Sequence, residues 1–145
     1  RVCYLSAMKE NPFGASAGEP RRILLAEDDV VLQRIVTHVL SQQGFQVVVA
    51  QDGEEALEQV RTRRPDAIIL DAMMPGMDGL EVLHEIRRDD LTRDIPIMML
   101  SVRNLEKDVV IGFDLGANDY LAKPFKPEEL VVRLKRLLNA AQQRD

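Results

Sequence analysis

The chain has one cysteine, Cys3, and no tryptophan. A single cysteine excludes an internal disulfide and any cysteine-based zinc site. With only two tyrosines and four phenylalanines, the core has to be mainly aliphatic. No apolar run approaches the roughly 20 residues that span a bilayer. There is no GxGxxG loop and no Walker A loop, so nucleotide binding has no support. A basic excess is also missing, because 24 acids against 19 lysines and arginines leave a net charge of −5. Direct binding to nucleic acid or to an anionic membrane wants a basic footprint, which is absent here. What is present is an ordinary mixture, 46% hydrophobic and 30% charged over 145 residues, enough for one domain with a real core.

Residues 1–20 show no periodicity and are rich in Gly, Ala, Ser and Pro. Their apolar run, Val2 to Leu5, is too short for a secretory signal. They read as a flexible leader or cloning scar, with Met8 a candidate native start. Residues 21–141 read as the domain, and 142–145 as a tail or the start of a linker.

From Arg21 the pattern becomes regular. Ile23-Leu24-Leu25-Ala26 reads as a strand buried on both faces. Val31, Leu32, Ile35, Val36, Val39 and Leu40 recur at helical spacing, and Gly44 suits the C′ position of that helix. A strand over 45–50 and a helix over 53–63, with Ala56, Leu57 and Val60 inward, come next. Ala67-Ile68-Ile69-Leu70 is a third strand, followed by a helix over 78–88 carrying Leu80, Val82, Leu83 and Ile86. A strand over 97–100, a helix over 104–115, a short strand over 120–122 and a helix over 127–140 complete the series. The last helix places Leu130, Val131, Leu134, Leu137 and Leu138 in one stripe. Five β-α units in about 120 residues predict a parallel sheet with helices on both faces. Sites in such sheets sit at the carboxyl ends of the strands.

The residues closing those strands form a set. Glu27, Asp28 and Asp29 follow the first strand, Asp71 the third, Ser101 the fourth, and Lys123-Pro124 the fifth. If the first and third strands are neighbours, three or four carboxylates share one rim. Two like charges about 5 Å apart at an effective dielectric near 20 repel by roughly 3 kcal/mol. A hard divalent cation such as Mg²⁺ relieves that cost, and Lys123 supplies a second positive charge. Counted this way, Glu27, Asp28, Asp29, Asp71 and Lys123 account for more than half of the net −5.

Each residue alone has a plainer reading. Asp28 or Asp29 can cap the first helix. Asp71 can serve the turn before Pro75-Gly76, Ser101 can cap the next helix, and Lys123 can be a surface lysine. His38 and His84 lie on helices away from the strand ends and read as surface or half-buried residues. The ordered joint pattern is what singles out a functional site.

The segments ILLAEDD (23–29), PDAIILDAMMPGMDGLEVL (65–83), PIMMLS (96–101) and GANDYLAKPF (116–125) resemble the receiver domains of two-component response regulators. The resemblance spans about 22–140 and implies a flavodoxin-like (βα)5 three-layer sandwich. It implies that Asp71 is the phospho-acceptor. Glu27 and Asp28 match the acidic pair that holds Mg²⁺, with Asp28 ahead of Glu27 as direct ligand. The backbone carbonyl of Met73 matches a further metal ligand. Ser101 matches the switch hydroxyl, Lys123 the lysine that pairs with a phosphoryl oxygen, and Tyr120 the switch aromatic. Pro124 matches a residue that follows that lysine through a cis peptide. The implied donor is a phosphohistidine on a sensor histidine kinase or phosphotransfer protein. The implied product is an aspartyl phosphate, and the implied location is cytoplasmic. The domain would be a signalling module that catalyses only its own phosphorylation and dephosphorylation, and it would control an output domain or partner.

Some residues depart from the commoner family pattern. Glu27 stands where many members carry Asp, Ser101 where Thr is commoner, and Val102 where Ala is common. A larger residue at 102 is expected to slow dephosphorylation. The helix over 104–115 has Val110 and Phe113 for the core, yet Leu105, Val109 and Ile111 are apolar too. That surplus reads either as a wider core stripe or as an exposed patch for a homodimer or output partner. Leu105 and Val109 are unlike the charged residues of salt-bridged dimers in receivers linked to winged-helix domains.

Two other readings compete. Aspartate-nucleophile phosphatases also place an Asp after a parallel strand, but they want a second Asp two residues later, where this chain has Met73. A receiver-like docking module without phosphorylation is the other, and the intact set of site residues argues against it.

Overall fold

A computed structural model describes residues 19–102 and 106–143. The first eighteen residues, including Cys3 and Met8, and also Leu105, lie outside the described residues. The elements alternate without exception: β1 Arg22–Ala26, α1 Val30–Gln42, β2 Gln46–Ala50, α2 Gly53–Arg63, β3 Ala67–Asp71, α3 Gly79–Arg88, β4 Ile97–Val102, α4 Glu106–Asp114, β5 Asp119–Lys123 and α5 Pro127–Gln143. The strands form one parallel sheet in the order β2-β1-β3-β4-β5. β1 and β3 are therefore neighbours, the arrangement on which a shared acidic rim depends.

Local chemistry sets the element ends. The Asp29 carboxylate accepts from the Val31 and Leu32 amides at 2.9 and 3.3 Å and opens α1. Asp52 does the same for α2 through Glu55 N at 2.8 Å. Asp78 and Glu81 close a reciprocal capping box at the start of α3. Gly44, at φ +90°, takes the left-handed turn after α1.

The central strands are apolar on both faces, and alternate residues serve different helices. Leu24, Ala26, Ile68, Leu70, Ile97 and Met99 pack with α2 and α3. Ile23, Leu25, Ala67, Ile69, Met98 and Leu100 pack with α1 and α5. These two layers with the sheet between them make the three-layer sandwich. Among the described residues no helix is long and apolar enough to cross a membrane.

Two predicted core stripes need correction. On α1 only Val36 and Leu40 are fully buried, while Val31 and Ile35 are 65% and 43% exposed. Successive helical residues are about 100° apart, so the sheet side takes Val36 and Leu40 fully and Leu32 and Val39 in part, and leaves Val31 and Ile35 outside. On α4, Val110 and Phe113 are exposed at 58% and 47% rather than buried. Among the α4 residues whose burial is described, Gly112 is the buried one. Ile111 is also exposed, whereas Val109 is half-buried.

Candidate functional site

The carboxyl ends of β1, β3, β4 and β5 meet on one rim. β1 runs directly into Glu27, whose amide donates to Ala50 O of β2 at 3.0 Å and so continues the strand's ladder. That pairing buries the Glu27 side chain, which is 1% exposed. Its Oε2 accepts from the Asp29 amide at 3.0 Å, and its Oε1 lies 2.9 Å from Lys123 Nζ. Gln33 on α1 donates to the Glu27 carbonyl at 2.6 Å.

Asp71 is the last residue of β3 and is buried. Its Oδ1 accepts from the Met73 amide at 3.1 Å and its Oδ2 from Lys123 Nζ at 3.2 Å. Lys123 closes β5 and bridges the two buried acids, so it is no surface lysine. The Lys123–Pro124 peptide is cis. Carboxylate oxygens of Glu27, Asp28 and Asp71 all lie within 4.8 Å of one another.

Burial pushes the Glu27 carboxyl above its ordinary 4.5, and the nearby Asp71 charge pushes the same way. The Lys123 ammonium and the Asp29 amide oppose the shift without cancelling it. Burial by itself would lower the Lys123 ammonium. Hydrogen bonds and charge from Glu27 and Asp71 outweigh that and hold it above its ordinary 10.5.

Asp29 does not join the cluster. Its side chain is spent on the α1 N-terminus. The pocket therefore holds three carboxylates and one ammonium, a smaller negative excess than four acids would give. Ser101 lies inside β4 rather than after it, is buried, and donates to the Val102 carbonyl at 3.0 Å. Met73 has an exposed side chain. Tyr120 stands on β5 and is half-buried against the α2–α3 side of the core, its ring centroid 5.9 Å from that of Phe113. His38 and His84 are exposed, on α1 and α3, and neither belongs to this cluster.

One supporting residue escaped the motif reading. A Cβ on Gly79 would fall 2.2 Å from the Asp71 carbonyl oxygen and 2.7 Å from Ala72 Cα. Glycine there lets the start of α3 press against the acceptor strand, where Gly79 N donates to Ala72 O at 2.9 Å. Its sequence signal was a glycine at the first helical position, directly after the Asp78 cap.

A cleft of about 500 Å³ opens at this rim, lined among others by Asp28, Met73, Pro75 and Ser101. The donor set is oxygen only and carries more negative than positive charge. Such a set suits a small hard divalent cation rather than a soft transition metal. The cleft, the buried acid and the bridging lysine can also receive an anionic group beside Asp71.

Comparison with known proteins agrees with this geometry. Residues 23–135 match the family described as the response regulator receiver domain. The phosphate regulon transcriptional regulatory protein PhoB of Escherichia coli is 45% identical over 118 residues, covering 81% of this chain and 52% of that protein. The crystal structure of a putative response regulator from Chloroflexus aurantiacus superposes with a TM-score of 0.80 at 41% identity, covering 83% of this chain and 99% of that one. A receiver domain of a sensor histidine kinase from Pseudomonas aeruginosa, solved with a magnesium ion coordinated in its active site cleft, gives a TM-score of 0.77 at 36% identity, with 83% and 99% coverage. The chain spans about half the length of the curated relatives it matches.

Proposed function

Since the chain belongs to the response regulator receiver domain family, we propose that Asp71 accepts a phosphoryl group from a phosphohistidine on a sensor kinase or phosphotransfer protein. The observation that carries this reading is the Lys123 ammonium held between buried Glu27 and buried Asp71. An anionic nucleophile and an anionic phosphoryl group repel each other, and a fixed ammonium at the nucleophile offsets that repulsion. An Asp71 oxygen forms the O–P bond while the donor's N–P bond breaks, and the imidazole leaves. Lys123 then pairs with an oxygen of the new acyl phosphate. Ser101 exchanges its bond to the Val102 carbonyl for one to the phosphoryl group, which draws the end of β4 inward. Phosphate favours only the state it contacts better, so the result is a population shift.

Asp28 and Asp71, together with the Met73 carbonyl and Glu27, would hold Mg²⁺. When bound, the ion neutralises charge on the phosphoryl oxygens. The chain's own catalysis is limited to phosphorylation and dephosphorylation of Asp71, in keeping with a cytoplasmic signalling domain.

Two surfaces suit partners. Val30, Val31 and Ile35 expose apolar area on α1 beside Asp28, where a phosphoryl donor has to dock. Val110, Ile111 and Phe113 expose another patch on α4, which we assign to a homodimer or an output domain. Any contact with DNA belongs to such an output domain, because a net charge of −5 does not favour a polyanion.

The test is incubation with Mg²⁺ and a small acyl-phosphate donor, read by intact mass. A stable adduct of one phosphoryl group that vanishes in Asp71→Ala is expected. Rapid turnover of many phosphate esters would instead indicate a hydrolase, and neither adduct nor turnover would indicate a docking module.

A further inference from the structure

Gly112 lies in the last turn of α4, two residues before the helix ends at Asp114. Glycine is the poorest helix former after proline, and an isolated one within a helix asks for a packing reason. The reason is on the adjacent strand. A Cβ built on Gly112 would meet Tyr120 Cε2 at 2.7 Å, Cδ2 at 3.5 Å and Cζ at 3.7 Å. The first of these is closer than a real Cβ contact allows. Gly112 is buried and the Tyr120 hydroxyl oxygen is buried too, so the ring is turned in against the helix. On the helix's outer side, Phe113 meets the same ring at 5.9 Å with the planes tilted by 51°. The ring cannot bend, so a methyl at 112 can be accepted only if the ring swings about its side-chain torsions away from its present place.

We propose that Gly112 is a positioning residue for Tyr120, its missing side chain forming the slot in α4 that the inward ring occupies. The backbone next to it reinforces the slot: Ala117 N donates to Gly112 O at 2.9 Å, which ties the end of α4 to the loop leading into β5. Ring position and helix position are thereby coupled through one contact. The inference rests on reading Tyr120 as the switch aromatic for its consequence, but not for its geometry. With the slot closed, Tyr120 turns outward whatever the state of Asp71, and α4 no longer responds to phosphorylation.

The chain has no tryptophan and only Tyr4 besides Tyr120, so a Tyr4→Phe background leaves one fluorophore. In that background, acrylamide quenching of Tyr120 fluorescence reads the ring's accessibility. We expect the quenching constant to rise several-fold in Gly112→Ala and to become insensitive to Mg²⁺ with an acyl-phosphate donor. The adduct at Asp71, read by intact mass, should form equally in both proteins. An unchanged quenching constant overturns the slot. Absence of adduct in both proteins overturns the phosphorylation reading while the unphosphorylated quenching still decides the slot. If Gly112→Ala fails to fold, the Gly112→Ala/Tyr120→Ala double variant decides: it should fold with a urea midpoint at or above that of Tyr120→Ala, and its failure to fold overturns the slot. Where Gly112→Ala folds, the full cycle applies. Gly112→Ala should lower the urea midpoint with Tyr120 present and leave it unchanged or higher with Ala at 120. An equal loss in both backgrounds overturns the proposal.

Discussion

Lys123 reaches from the end of β5 past β4 and β3 to place its ammonium 2.9 Å from Glu27 at the end of β1. The contact joins residues 96 positions apart in sequence and also carries the 3.2 Å bond to Asp71. One cation therefore serves two buried acids, and the pocket is left with a negative excess. Much of what can be tested follows from that excess.

Asp28 is the exposed member of the cluster, and removing its charge relieves repulsion without opening a cavity. Asp28→Asn should raise the metal-free stability by about 1 kcal/mol, the Coulomb cost at this spacing discounted for exposure. The same variant should lose most of the stabilisation that added Mg²⁺ gives the parent. Urea unfolding with Mg²⁺ and with a chelator measures both, and equal Mg²⁺ effects in the two proteins would remove Asp28 from the metal site.

Glu27 predicts a pH dependence of definite sign. Its carboxyl titrates above 4.5 in the folded chain, so folding favours its protonated form. The stability it contributes is complete below pH 4.5 and is lost as pH rises through its folded value. Without metal, the stability of the parent relative to Glu27→Gln should fall on going from about pH 4 to pH 7. Urea midpoints across that range test it. A difference that grows with pH would mean that Lys123 outweighs burial at this carboxyl.

Val102 follows Ser101 at the end of β4, is 56% exposed, and stands in register with Lys123. A branched side chain at that point shields an acyl phosphate from water better than a methyl does. Val102→Ala should dephosphorylate several-fold faster, as followed by loss of the one-phosphoryl mass after donor removal. Equal decay would assign Val102 no part in water access.

Gly79→Ala forces a Cβ onto the Asp71 carbonyl. Overpacking against backbone should cost about 2 kcal/mol or more, since neither neighbour can swing away. The phosphorylation rate should fall as well, because α3 can retreat only by disturbing the acceptor strand. Thermal unfolding and the adduct assay read the two effects separately.

The order of elements was legible from residues 22–140 because each buried strand is a short apolar run bounded by a turn or a cap. The candidate site was legible because its residues lie at or next to strand ends, a one-dimensional feature, although Ser101 proved to sit inside β4. Helix faces were less so. Val31 and Ile35 have the right spacing and chemistry for a core and lie outside it, as do Val110 and Phe113. Hydrophobic spacing gives a helix an apolar side, but the sheet beneath decides how wide a stripe it covers. The fate of Asp29 was equally open, since capping a helix and joining a metal pocket ask for the same carboxylate.

By itself, then, the sequence determined that five β-α units form a parallel sheet and that acids, a hydroxyl and a lysine gather at its carboxyl rim. Tertiary structure alone decided the rest. It put β1 beside β3, spent Asp29 on a helix end, gave Lys123 to Glu27 as well as Asp71, and laid Tyr120 against Gly112. The physical reason is that strand order and side-chain contact arise from packing between segments distant in sequence, where no local spacing records which neighbour will be met.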